Sequence, residues 1–75
     1  MNKIKALILE VSGGVYEGNE WQAIVARVQG RLMRFKVDVK RVHFTTSDVD
    51  KDVELEYELS GSASSPALVR IVGFE

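Results

Sequence analysis

Two large aromatic residues, Tyr16 and Trp21, flank the short polar run Glu17-Gly18-Asn19-Glu20. Aromatic rings carried near the tip of a projecting turn offer π faces to the bases of single-stranded nucleic acid, and each stacked base contributes about 1–3 kcal/mol. The positive charge that the phosphates of such a ligand need comes next along the chain, at Arg27, Arg31, Arg34 and Lys36. Each of these residues also has a plain structural use. Tyr16 and Trp21 can close a hairpin by packing across it, and Trp21, in phase with Ala23, Val25 and Arg27, either plugs a core or stands on an exposed face.

Enzymatic chemistry finds little footing. His43 is the single histidine, there is no cysteine, and no serine has a base close to it in sequence. Asp48, Asp50 and Asp52 alternate like the opening of a calcium loop, but Lys51 interrupts them, and the glycine and bidentate glutamate of that loop are missing from their places. Ser12-Gly13-Gly14 followed by Gly18 is neither a dinucleotide fingerprint nor a P-loop, since no helix follows and the lysine is absent. The expectation is a protein that makes and breaks no bond, with no catalytic residue, metal, cofactor or small-molecule substrate.

The elements that must carry these residues follow from periodicity. In Val53-Glu54-Leu55-Glu56-Tyr57-Glu58-Leu59 apolar and charged residues alternate without a fault, which is the pattern of a strand with one wet face. Leu32 to Val42 alternates too, with Met33, Phe35, Val37 and Val39 against Arg34, Lys36, Asp38 and Lys40. Lys3 to Val11 and Trp21 to Val28 are apolar on both sides for part of their length, as in strands packed on two faces or at a dimer contact. Leu68 to Val72 supplies a fifth, β-branched strand. Turn chemistry separates them: Gly18 with Asn19, then Gln29-Gly30-Arg31, then the polar stretch from Thr45 to Asp52, where Thr46-Ser47-Asp48 fits a single helical turn, and finally a loop from Ser60 to Pro66. Five short strands with one longer connection between the third and fourth predict an all-β, OB-like five-stranded barrel with a protruding first hairpin. An SH3-like barrel or an open meander has nearly the same periodicity.

Seventy-five residues form one domain, 1–75, with a thin core. With no cysteine to staple it, a homodimer is the expected remedy. Lys3 and Lys5 before Ala6-Leu7-Ile8-Leu9 resemble a signal start, but Glu10 ends the apolar run early, and no run approaches the roughly 20 apolar residues of a membrane span. A soluble, cytoplasmic protein is expected. The net charge of −1 hides a segregation: residues 27–41 hold six Lys and Arg against Asp38, and residues 48–58 hold six Asp and Glu against Lys51. If the third and fourth strands pair antiparallel with Asp38 opposite Glu56, then Lys40 meets Glu54 and Lys36 meets Glu58, and these ion pairs neutralise much of the basic stripe. Otherwise Arg34, Lys36 and Lys40 form a cationic stripe for a sugar-phosphate backbone. Arg27, Arg31 and Arg34 have no glutamate partner in that register.

At the first hairpin the chain resembles the single-stranded-DNA-binding, helix-destabilising proteins of filamentous phages. The shared features are Ser12-Gly13 and Val15 upstream, the turn glycine Gly18, and an aromatic three positions later at Trp21, with Tyr16 where a DNA-contacting basic residue often lies. Asn19 and Glu20 depart from the family's lysine after the turn glycine, and Glu17 adds a negative charge. The resemblance implies an OB-like dimer that coats single-stranded DNA (RNA being the other possible ligand) during replication of a phage or mobile element. The site it suggests combines Tyr16 and Trp21 for stacking with Arg27, Arg31, Arg34 and Lys36 for the backbone. The competing class is a small barrel that docks on a protein through its acidic strand, Glu54, Glu56 and Glu58, or its apolar first strand, without binding nucleic acid.

Overall fold

The computed structural model describes residues 2–60 and 68–75. Five strands, β1 (Asn2–Tyr16), β2 (Asn19–Val28), β3 (Arg31–Val37), β4 (Asp52–Ser60) and β5 (Leu68–Phe74), close into a barrel in the order β1-β2-β3-β5-β4. The protein is an all-β closed five-stranded barrel, and its architecture is consistent with an OB-like fold. The loop expected from Ser60 to Pro66 lies, from residue 61 on, outside the described residues.

Both hairpins turn on two residues with positive φ: Glu17 and Gly18 at 50° and 77°, and Gln29 and Gly30 at 51° and 78°. That double left-handed geometry matches the right-handed twist of the strands it joins. The first turn is thus Glu17-Gly18, and Asn19 has already entered β2, its amide donating to the Glu17 carbonyl at 3.4 Å. The tight turns lock the register of the β1-β2-β3 meander, with Tyr16 opposite Asn19 and Val28 opposite Arg31.

The strand expected from Leu32 to Val42 stops at Val37. Asp38 ends it: its carboxylate accepts the Lys40 backbone N–H at 3.1 Å, and its carbonyl accepts those of Arg41 and Val42, both at 3.0 Å. An aspartate that binds the backbone two residues on makes a turn compete with the ladder. The antiparallel pairing of β3 with β4 does not occur either. β3 runs parallel to β5, with Lys36 beside Arg70, and β4 lies between β1 and β5. The glutamates of β4 therefore meet other cations. Lys3 sits 3.7 Å from Glu54 and 3.8 Å from Glu56, and Arg41 pairs with Glu58, whose hydrogen bond raises the Arg41 pKa above its ordinary value.

Ile8, Ile24, Leu55 and Ile71 are fully buried at the centre of the core. One end of the barrel is closed by the segment after β3. Phe44 is buried and stacks on Phe74 with ring centroids 4.3 Å apart, and Gln22 clamps the Phe44 peptide, donating to its carbonyl at 2.7 Å and accepting its N–H at 2.8 Å. Thr46–Asp48 forms the expected single turn, of 3-10 type, with Asp48 reaching back to accept the Thr45 N–H at 2.8 Å.

Candidate functional site

The register of the meander decides which side chains share a surface. Ile24, Ala26 and Val28 point into the core, so Trp21, Ala23, Val25 and Arg27 point outward from β2. On β3, Lys36 lies across from Ala23, Arg34 across from Val25 and Leu32 across from Arg27. On β1, Gly14 lies across from Trp21, Ser12 across from Ala23, and Tyr16 across from Asn19. Cross-strand partners project from the same face. Tyr16, Trp21, Arg27, Arg34 and Lys36 are thereby brought onto one outward surface spanning β1, β2 and β3. Arg31 is not: paired with the buried Val28, it has the opposite parity and sits exposed at the far end of the meander.

Trp21 is no core plug, being 42% exposed, and Tyr16 is 70% exposed near the hairpin tip. The indole rests against Gly14. A β-carbon built there would lie 3.2 Å from Trp21 Nε1 and 3.5 Å from Cε2 and Cζ2, so only glycine leaves the ring its present seat. Below Trp21 a groove of about 460 Å³ is walled by Trp21, Glu20, Arg34, Lys36 and Val37 and floored by Ala23. Ala23 belongs to the outward set yet is only 4% exposed, because the longer side chains beside it close over it. A small residue between an aromatic and two cations makes a shallow trough of the kind a base with its phosphate fits.

Among the described residues, Lys3, Arg41, His43 and Arg70 have a carboxylate oxygen within 4.0 Å, whereas Arg27, Arg31, Arg34 and Lys36 have none. The cations on the groove side are thus unspent, and the ion-pair ladder that would have neutralised Lys36 is absent. Glu20, the acidic residue closest to Trp21 in sequence, is engaged by His43 Nε2 at 2.6 Å, which draws its charge toward the segment after β3. Glu17 remains at the tip, facing solvent.

Three contributors are not apparent from the sequence alone. Gly14 falls beyond the expected first strand, which ends at Val11, and Ala23 is marked only by its phase with Trp21, although counting back from a two-residue turn at Glu17-Gly18 puts Gly14 opposite Trp21. Gln22, which secures the end of the barrel below the groove, carried no sequence signal, because its partner Phe44 is set by the tertiary fold. The chain matches no family model, no curated protein and no solved structure. No helix is long and apolar enough to cross a membrane.

Proposed function

We propose that this protein binds single-stranded nucleic acid, DNA in the first instance, without strong sequence preference, and that it works as a cytoplasmic homodimer in the replication of a phage or mobile element. The observation that carries the reading is the exposed Trp21 standing beside the unpaired Arg34 and Lys36 on the outward face of β2 and β3. That face is the one on which OB-type barrels receive oligonucleotides and oligosaccharides. A base stacks on Trp21, Tyr16 extends the stacking surface toward the hairpin tip, and Arg27, Arg34 and Lys36 hold the phosphates. Arg31 approaches the strand only if it wraps past the end of the meander. The contrary reading, docking of the acidic strand on a protein, is weakened because Glu54, Glu56 and Glu58 already contact Lys3 and Arg41.

Titration of the protein's fluorescence with a poly-thymidine oligonucleotide, at low and at raised salt, tests this. Binding is expected to quench Trp21 and to fall with salt with a log–log slope of about −2, since a single strand loses about 0.7 per phosphate contact and three cations line the face. Trp21→Ala is expected to weaken binding by about 1–3 kcal/mol. Absence of binding at low salt, where attraction is least screened, would overturn the proposal.

A further inference from the structure

β1 exchanges one neighbour for another along its length. From Asn2 to Leu7 it pairs with β4, from Leu7 to Tyr16 it pairs with β2, and Ile8 still bonds on the β4 side, donating to the Lys51 carbonyl at 3.0 Å and accepting the Asp50 N–H at 2.7 Å. Past the bulge between Ile8 and Glu10, no backbone hydrogen bond among the described residues reaches the outer side of β1, although the Thr46–Asp48 turn packs close to the strand. Among the described residues, Glu10 to Tyr16 is therefore a sheet edge without a strand partner.

Its backbone pattern is fixed by the turn. In a two-residue hairpin the closing pair, here Tyr16 and Asn19, is hydrogen-bonded, and the pairs alternate from there. The peptide groups of Tyr16, Gly14 and Ser12 face β2, and those of Val15, Gly13 and Val11 face outward along the free edge. The usual guards of such an edge are missing, for Val11-Ser12-Gly13-Gly14-Val15-Tyr16 contains no charge and no proline, and Val15 is 72% exposed.

We infer that this edge pairs with the same edge of a second copy, antiparallel about a two-fold axis through Gly13. The edge is self-complementary in that register. Val11 meets the partner's Val15, Gly13 meets the partner's Gly13, and the three outward peptide units of each copy are all satisfied, giving about six hydrogen bonds. The sole carboxylate, that of Glu10, falls opposite the partner's Tyr16 rather than against another acid. The two-fold axis is perpendicular to the sheet, so the Trp21 faces of both copies come to lie on the same side of one continuous surface. This inference rests on the dimeric part of the proposal above and not on its ligand.

Sedimentation over a wide concentration range, without nucleic acid, tests it. The wild-type protein is expected to run as a dimer, at twice the 8.4 kDa of the chain. Val15→Pro removes an outward-facing N–H and leaves the β1–β2 ladder intact, so it is expected to run as a folded monomer with an unchanged circular-dichroism spectrum. Register is read with cysteines, which the chain lacks. Glu10 and Tyr16 would face each other as a non-hydrogen-bonded pair, with Cα atoms about 4.5 Å apart, within disulfide range. The doubly substituted Glu10→Cys, Tyr16→Cys protein is expected to oxidise to a covalent dimer, and Glu10→Cys alone is not. A wild-type monomer at every concentration overturns the inference. So does a dimer that survives Val15→Pro and leaves the two cysteines unlinked, which would place another partner strand, or none, on this edge.

Discussion

Gly14 shows how much a missing side chain can set. Its hydrogen leaves room for the Trp21 indole, and a β-carbon 3.2 Å from Nε1 would force the ring to shift by a few tenths of an ångström or more. Glycine in a strand interior otherwise weakens the strand, so strand stability and the seat of the indole favour different residues at this position. Gly14→Val is expected to keep or raise the melting temperature while shifting the emission of Trp21 in the free protein. It should also reduce oligonucleotide affinity by part of the ~1–3 kcal/mol that stacking supplies. A variant that melts higher and binds as well as wild type would show that the seat of the indole is irrelevant. Gly13 is a different case, since a β-carbon there would come 2.9 Å from the Trp21 carbonyl oxygen, against backbone that cannot yield. The types of Tyr16, Trp21, Arg34 and Lys36 were legible in the sequence as a candidate site. That Arg31 points elsewhere was not, because its parity depends on the turn closing at Gln29-Gly30 rather than running through Arg31.

At the scale of elements, period-two alternation located β4 almost to the residue, because one of its faces is uniformly charged. The same rule carried β3 five residues too far. Alternation records which side chains suit a pleated surface and is blind to an aspartate that turns the backbone, as Asp38 does. Pairing was the other loss. A run of glutamates announces that cations lie opposite, but Lys3 and Arg41 serve as well as Lys36 and Lys40, and only closure of the barrel selects between them. The segment after β3 depends on Gln22, whose amide makes two hydrogen bonds to the Phe44 peptide. Gln22→Ala leaves that partly buried peptide without its partners, and the expected loss is about 1–3 kcal/mol. Hydrogen exchange provides the check: amides of residues 38–51 should exchange faster than those of β1 and β2, and uniform acceleration would mean that the clamp serves the whole barrel equally.

For the whole molecule, the outer surface is divided by use. β4 and the first half of β1 neutralise each other, and the outward face of β2 and β3 keeps its positive charge unspent. The near-zero net charge is thus an average over two unlike sides, and taken alone it hides the unpaired cations that line the groove. The closure of the barrel also has a consequence in time. β1, β2 and β3 are joined by two-residue turns, whose hairpins form within about 1–10 μs. The pairings of β1 with β4 and of β3 with β5 join distant parts of the chain and must bear loop-closure entropy before any contact compensates for it. The meander should then be in place at the folding barrier, with closure following it. Gly30→Ala, at φ 78°, is expected to slow refolding and leave unfolding nearly unchanged, whereas Phe74→Leu, at the last-formed end, is expected mainly to hasten unfolding. Stopped-flow rates for the two variants would reveal the order, and the reverse pattern would mean that the ends of the chain meet first.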